Sequence, residues 1–315
     1  MGGRAEGRGA RSHSATTDSL LPTPYSLLPT SLISNRPLTP GHRLSAIGLA
    51  LLVATPLFAQ DSTGHSDPGP DPIPPHQSFT IESKVLAERR LVNVYTPPGY
   101  EASPGVAYPV LYMLDGGLEE DFPHVVNTVD SLIRLKVIRP VLVVGIENTE
   151  RRRDLTGPTT VAKDSTIAPH VGGSAAFRQF VRDEFMPEVK ARYRCTDETT
   201  IAGESLAGLW IVETFLLEPK LFHGYIALDP SLWWNRAELV ASADSKLKNL
   251  QGLKRTLFLS SAIDEDIVVN TANLAATLKK SAPAGLRFYY EPRPDLTHMT
   301  IFRGEGPKAL ATVLK

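Results

Sequence analysis

The chain is predicted to be an α/β protein, with a mostly parallel sheet that begins antiparallel and carries helices on both faces. From Ser78 onward, short β-branched runs alternate with amphipathic segments, a pattern that calls for crossover connections and parallel strands. "YPVLYMLDGG" and "RPVLVVGIEN" are nearly continuous apolar runs closed by turn residues, as strands buried on both faces are. The first two runs, "SFTIESK" and "RLVNVYTP", are joined tightly enough to form an antiparallel hairpin.

The remaining elements follow in order. Phe122 to Ile138 has apolar positions at helical spacing, and "GSAAFRQFVRDEFMPEVKARY" sets Phe177, Phe180, Val181 and Phe185 on one face of a second helix. Strand "TTIAGES" leads to a helix over 206–217, then strand "HGYIALDP" and a helical stretch over 236–250. Strand "RTLFLSSA", a helix over 268–281, strand "LRFYYEP" and a helix from about Met299 complete the chain.

The first quarter does not read as part of this fold. Residues 1–41 include a repeated "SLLPT" whose prolines exclude a regular helix or central strand, so they are expected to be disordered or to come from a start site placed too early. Residues 42–59 combine Arg43, an apolar run from Leu44 to Phe58 and Ala59, the layout of a signal peptide. Export to a periplasm or out of the cell follows. The apolar run is short and holds Pro56, so no membrane insertion is expected after cleavage. Residues 60–77 form a Pro/Gly-rich linker, leaving 78–315 as one domain.

The 315 residues carry a formal net charge of -1, which gives no global field to attract nucleic acid or an anionic surface. The single cysteine, Cys195, cannot form an internal disulfide and lies in a polar stretch that does not favour a thiolate. No pair of histidines has a metal-ligand spacing, and no glycine loop suits a phosphate, so neither metal nor cofactor is expected.

In sheets of this class, chemistry sits on loops at the carboxyl ends of strands. Ser205, in Gly203-Glu204-Ser205-Leu206-Ala207-Gly208, stands between a strand and a helix, the context of a nucleophile elbow. Gly203 and Ala207 supply the small residues that let strand and helix approach. A helix-capping serine is the plainer alternative.

A serine hydroxyl needs a base and an orienting acid, which should follow it along the chain. Only His223 and His298 lie downstream, and His223 begins a strand at the end away from the chemistry, so His298 is the candidate base. For the acid, Asp264, Glu265 and Asp266 compete after strand "LFLSSA"; Asp264 comes first and is preferred, with Asp295 a local alternative. The oxyanion donors are expected to be the Leu206 amide and one from Gly116, Gly117 or Leu118.

Together, "RRLVNVYTPPGY", "YPVLYMLDGG", "RRRDLTGPT", "TTIAGESLAGLW", "DPSLWWN" and "LTHMT" resemble the putative-esterase family of α/β-hydrolases, which includes esterase D-like and enterochelin (siderophore) esterases. The resemblance runs from about Ser78 to the C-terminus and implies an α/β-hydrolase fold. It also implies a serine esterase acting on a small-molecule ester, with Ser205, His298 and, in the acid's slot after the seventh strand, Asp264. It suggests that Trp233 and Trp234, and Arg151 and Arg153, line the substrate side. Ala207 departs from the usual second glycine, and "SSAIDED" lacks a glycine often found in the acid's loop. An acyltransferase, a peptidase and a non-catalytic binding protein on the same scaffold are the alternatives. The sequence leaves the oligomeric state open.

Overall fold

The structure, a computed structural model, describes residues 71–315. Residues 1–41, the leader at 42–59 and residues 60–70 of the linker lie outside the described residues. Residues 71–76 do not behave as a free tether: Asp71 pairs with Arg303, and Asn127 Nδ2 donates to the Pro72 carbonyl at 2.9 Å.

Eight strands form one sheet in the order β1-β2-β4-β3-β5-β6-β7-β8. They are β1 (Gln77–Ser83), β2 (Glu88–Tyr95), β3 (Tyr108–Met113), β4 (Leu142–Ile146), β5 (Cys195–Glu204), β6 (Gly224–Leu228), β7 (Arg255–Ser261) and β8 (Leu286–Pro292). β2 pairs antiparallel with β1 and β4, and every later pairing is parallel. All five residues of β4 and of β6 are buried, which explains their unbroken apolar runs. This is the α/β-hydrolase architecture.

The helices divide between the two faces. One face takes α1 (Phe122–Arg134) and the last helix, α9 (Ile301–Val313), through Val125, Val126, Val129, Phe302 and Leu310. The other face takes α3 (Ser174–Phe180), α5 (Leu206–Leu217) and α8 (Glu265–Ser281), around Phe177, Phe180, Trp210, Phe215 and Leu274. α3 runs through a π-helical turn at Val181–Phe185 into α4 (Met186–Arg192), the single helix read from the sequence. Pro187 lies at the start of α4, where its missing N–H leaves a backbone carbonyl without its usual donor.

α1 ends four residues earlier than the periodicity predicts, because Lys136 turns into the left-handed region with φ +58°. The expected helix over 236–250 is three short pieces, α6 (Trp234–Ala241), α7 (Ala243–Lys246) and a 3-10 turn at Leu247–Leu250. Asn235, Arg236 and Ala237 have positive φ and interrupt the first piece.

A five-residue helix, α2 (Arg151–Leu155), follows β4 and has no counterpart in the sequence reading. A buried ion pair holds it: Arg90 of β2 is fully buried and donates to Asp154 at 2.5 Å, with its guanidinium 5.2 Å and 5.8 Å from the ring centres of Phe177 and Phe180. A charge that deep is tolerated only when paired.

Candidate active site

Parallel register sets the site. Glu204 of β5 pairs with Leu228 of β6, and Leu228 with Ser260 of β7. Residues leaving these three strands therefore meet at one rim of the sheet.

Ser205 leaves β5 with φ 62° and ψ −122°, a region costly for a residue with a Cβ. Its N–H donates to the Leu228 carbonyl at 3.1 Å, and its own carbonyl accepts from Leu209 at 2.9 Å and Ser231 at 3.0 Å. The turn closes only because Gly203 lacks a side chain. A Cβ there would lie 2.6 Å from Ala207 Cβ. Ala207 itself is fully buried and fits without a second glycine at its position. The Ser205 side chain makes no capping hydrogen bond to α5, so its hydroxyl serves something other than the helix start.

That hydroxyl meets His298. Ser205 Oγ lies 3.1 Å from His298 Nε2, although 93 residues separate them in sequence. His298 sits between β8 and α9 on a loop docked to the end of β7 by Arg293 N–H to the Ser261 carbonyl, 2.7 Å, and Ile263 N–H to the Leu296 carbonyl, 3.2 Å. His223 lies at the other end of the sheet, where its Nδ1 is 3.4 Å from the Thr199 amide.

The partner of the imidazole is not the residue expected. His298 Nδ1 lies 2.5 Å from Asp229 Oδ2, on a carboxylate with no solvent exposure. Asp264 is exposed and precedes the first turn of α8, which Glu265 begins and Asp266 continues. It reaches His298 only as a distant charge, so it is corrected to Asp229 as the imidazole's hydrogen-bond partner. Asp295 is turned away as well, in a two-point pair with Arg293 at 2.8 and 2.6 Å.

The physical reason lies in the strand ends. Asp229 follows the last residue of β6 with φ +44°, and its Oδ1 accepts from the Ala262 amide at 2.6 Å. This holds the carboxylate against the Nδ1 edge of the imidazole. A single aspartate closing a fully apolar strand, "GYIALD", is the signal that could have found it.

The electrostatics follow from this packing. The Asp229 hydrogen bond raises the His298 pKa above its ordinary 6.5, despite the opposing effect of burial. Glu204, whose Oε1 is 3.9 Å from His298 Nδ1, is pushed up to about 8 by burial, with Asp121, Asp229 and Asp115 adding repulsion. Asp121 is pushed up to about 7 by burial and the charge of Asp115. Ser231, three residues before Trp234, brings its hydroxyl to 3.4 Å from Ser205 Oγ. Sequence reasoning had singled out neither Glu204 nor Ser231.

The two expected glycine donors are engaged elsewhere. The Gly116 N–H donates to the Ile146 carbonyl at 2.9 Å, and the Gly117 N–H to Glu120 Oε2 at 2.7 Å. Both amides are thus corrected from oxyanion donors to supports of the loop. Leu206 is the first residue of α5, so its N–H has no acceptor within the helix.

Arg151 lies beside the turn that carries Ser205. It grips Asp115 with two hydrogen bonds, 2.6 and 2.7 Å, and approaches the Glu204 carbonyl at 3.4 Å. Arg153 is tied to Glu88, Glu150 and Asp154, and so braces α2 against β2. The two tryptophans differ. Trp234 is buried with Nε1 donating to the Gly157 carbonyl at 2.9 Å, whereas Trp233 is half-buried, its ring 6.1 Å from that of Trp234. Cys195 opens β5 far from this rim, and burial pushes its thiol up to about 11.

The sequence model of the family described as putative esterase matches residues 83–272, a span that includes β2 to β7, the elbow and Asp229. The chain belongs to the putative esterase family. It is similar to the ferri-bacillibactin esterase of Bacillus subtilis, 29% identical over 193 residues, which span 53% of this chain and 65% of that protein. It is also similar to the siderophore triacetylfusarinine C esterase of Aspergillus fumigatus, 26% identical over 180 residues, or 53% of this chain and 60% of that protein. The chain thus spans less than two thirds of these relatives' own length. Among solved structures, an IroE-like serine hydrolase from Shewanella oneidensis superposes with a TM-score of 0.67 at 28% identity, covering 76% of this chain and 79% of the other.

Proposed function

We propose that this esterase-family protein is a serine hydrolase that cleaves carboxylic esters through an acyl-serine intermediate, with Ser205, His298 and Asp229 in the three roles. The observation that carries the reading is the unbroken line Ser205 Oγ to His298 Nε2, 3.1 Å, and His298 Nδ1 to Asp229 Oδ2, 2.5 Å.

A carboxylate can only accept, so Nδ1 carries the proton and Nε2 is left as the base. His298 removes the Ser205 proton as Oγ attacks the ester carbonyl and then returns it to the departing alcohol. Water repeats the sequence on the acyl-enzyme. Asp229 holds the tautomer and stabilises the imidazolium that forms. The oxyanion is stabilised by the Leu206 amide, with the Leu118 amide as second donor, since its neighbours Gly116 and Gly117 are committed. Trp233 forms an aromatic wall for the acyl or alcohol group, while Arg151 positions the turn through Asp115.

The substrate class is a small-molecule ester. The names of the curated relatives favour siderophore esters. The leader pattern at 42–59 supports export before action. Acyl transfer to another alcohol would use the same machinery and is separated by product analysis with competing acceptors.

Ser205→Ala is expected to lower p-nitrophenyl acetate turnover by about 10⁴-fold or more and to abolish labelling by a fluorophosphonate. Wild-type hydrolysis by that variant would overturn the proposal. Peptides and ferric catecholate siderophores in the same assay decide between amide and ester substrates.

A further inference from the structure

Ser231 has an unusual relation to the candidate nucleophile. It is 3% exposed, and among the described residues its hydroxyl has one hydrogen-bond partner, Ser205 Oγ at 3.4 Å. Its backbone N–H donates to the Ser205 carbonyl at 3.0 Å, so main chain and side chain both face the same residue. Pro230 precedes it and Asp229 precedes Pro230, so one short turn delivers the imidazole's carboxylate and this second hydroxyl together.

The direction of the bond between the two hydroxyls can be deduced. Asp229 takes the Nδ1 proton of His298, which leaves Nε2 as an acceptor. The Ser205 hydroxyl therefore donates to Nε2, and its lone pairs face Ser231. Only Ser231 can then be the donor between the two serines. Among the described residues no base lies within hydrogen-bonding distance of Ser231 Oγ, so it is not a competing nucleophile.

We propose that Ser231 is a second catalytic hydroxyl that donates to Ser205 Oγ as charge develops there in both halves of the acyl cycle. This rests on Ser205 being the nucleophile. In acylation, the Ser205 proton passes to Nε2 while Oγ bonds to the acyl carbon. The tetrahedral intermediate then expels the alcohol, which leaves with that proton. In deacylation, water gives a proton to Nε2 and its oxygen bonds to the acyl carbon. The carbon–Oγ bond then breaks, and Oγ recovers the proton from Nε2.

Charge builds on Oγ when it loses its proton and again when it leaves carbon. At 3.4 Å the Ser231 hydrogen bond is long for two hydroxyls, and it shortens as that charge appears. An interaction that strengthens only in the transition state raises kcat and leaves substrate affinity unchanged.

The test is Ser231→Ala in the full chain, which keeps the backbone hydrogen bond to Ser205 and removes only the hydroxyl. About tenfold losses are expected in kcat for p-nitrophenyl acetate and in the rate of fluorophosphonate labelling, the size of one modest hydrogen bond. KM and the acid-side midpoint of the pH–rate profile should stay at their wild-type values, because Ser231 touches neither substrate nor imidazole. Ser231→Cys, a weak donor of similar volume, should fall between Ala and wild type.

A Ser231→Ala protein with the wild-type melting temperature and wild-type rates would overturn the proposal. A change confined to KM, or a moved pH midpoint, would also overturn it. Peptide mapping of the adduct keeps the two readings apart: an adduct on Ser205 that forms at full speed in Ser231→Ala defeats this inference alone. An adduct elsewhere defeats the reading beneath it.

Discussion

Asp229 is the residue on which the site turns. Asparagine in its place would offer an amide that can donate to Nδ1, leaving the proton on the wrong nitrogen. Asp229→Asn is expected to lower kcat by about 10⁴-fold, and Asp264→Asn to leave kcat near wild type. Single-turnover ester hydrolysis by the two variants checks this directly. On the proposed mechanism the pH dependence has a definite sign: His298 would act as base only when neutral, and Asp229 raises its pKa above 6.5. The kcat/KM is therefore expected to fall as pH drops through a midpoint above 6.5, and a pH–rate profile on an uncharged ester measures it. The meeting of Ser205 and His298 was legible because each candidate had few rivals: one strand-to-helix serine and two downstream histidines. Asp229 was not, because the acid cluster after β7 drew the assignment away from the single aspartate that ends β6, and only contacts decide between the two strand ends.

At the scale of the element, the elbow depends on the meeting of β5 and α5. Gly203→Ala would bring two Cβ atoms within 2.6 Å without a flexible side chain to yield. We expect a loss of about 1–3 kcal/mol in stability, as for other overpacked sites, together with slowed fluorophosphonate labelling from the displaced Ser205. Urea unfolding and labelling kinetics on one preparation measure both. The strands were legible because burial on both faces forces unbroken apolar runs, as in β4 and β6. Helix breaks were not. The left-handed run Asn235 to Ala237 contains no glycine or proline, and tertiary hydrogen bonds hold it, including Asn235 N–H to Asp164 Oδ2 at 2.9 Å.

Across the whole molecule, two acids held protonated by burial make stability fall as pH rises, opposite in sign to ion-paired carboxylates such as Glu88, whose pKa is lowered. Glu204 at about 8 and Asp121 at about 7 bind protons in the folded chain that the unfolded chain releases near pH 4 to 5. For these groups stability is greatest below the unfolded pKa and is lost as pH rises through the folded one. The His298 shift has the same sign. Glu204→Gln is expected to raise the urea midpoint at pH 9 relative to wild type and to leave it unchanged at pH 4. Equal midpoints at pH 9 would refute the expectation.

The amino-acid order alone determined the alternation of strand and helix, the antiparallel start and the strand-to-helix turn at Ser205, and it singled out His298 as the candidate base. Those features rest on periodicity and turn chemistry, which act over a few residues. Tertiary structure decided that Asp229 rather than Asp264 meets the imidazole, that Gly116 and Gly117 spend their amides within their own loop, and that Arg151 and Arg153 are held by carboxylates. Each outcome is a competition between groups far apart in the chain for one partner, and it is settled by the register that aligns Glu204, Leu228 and Ser260 at one rim of the sheet.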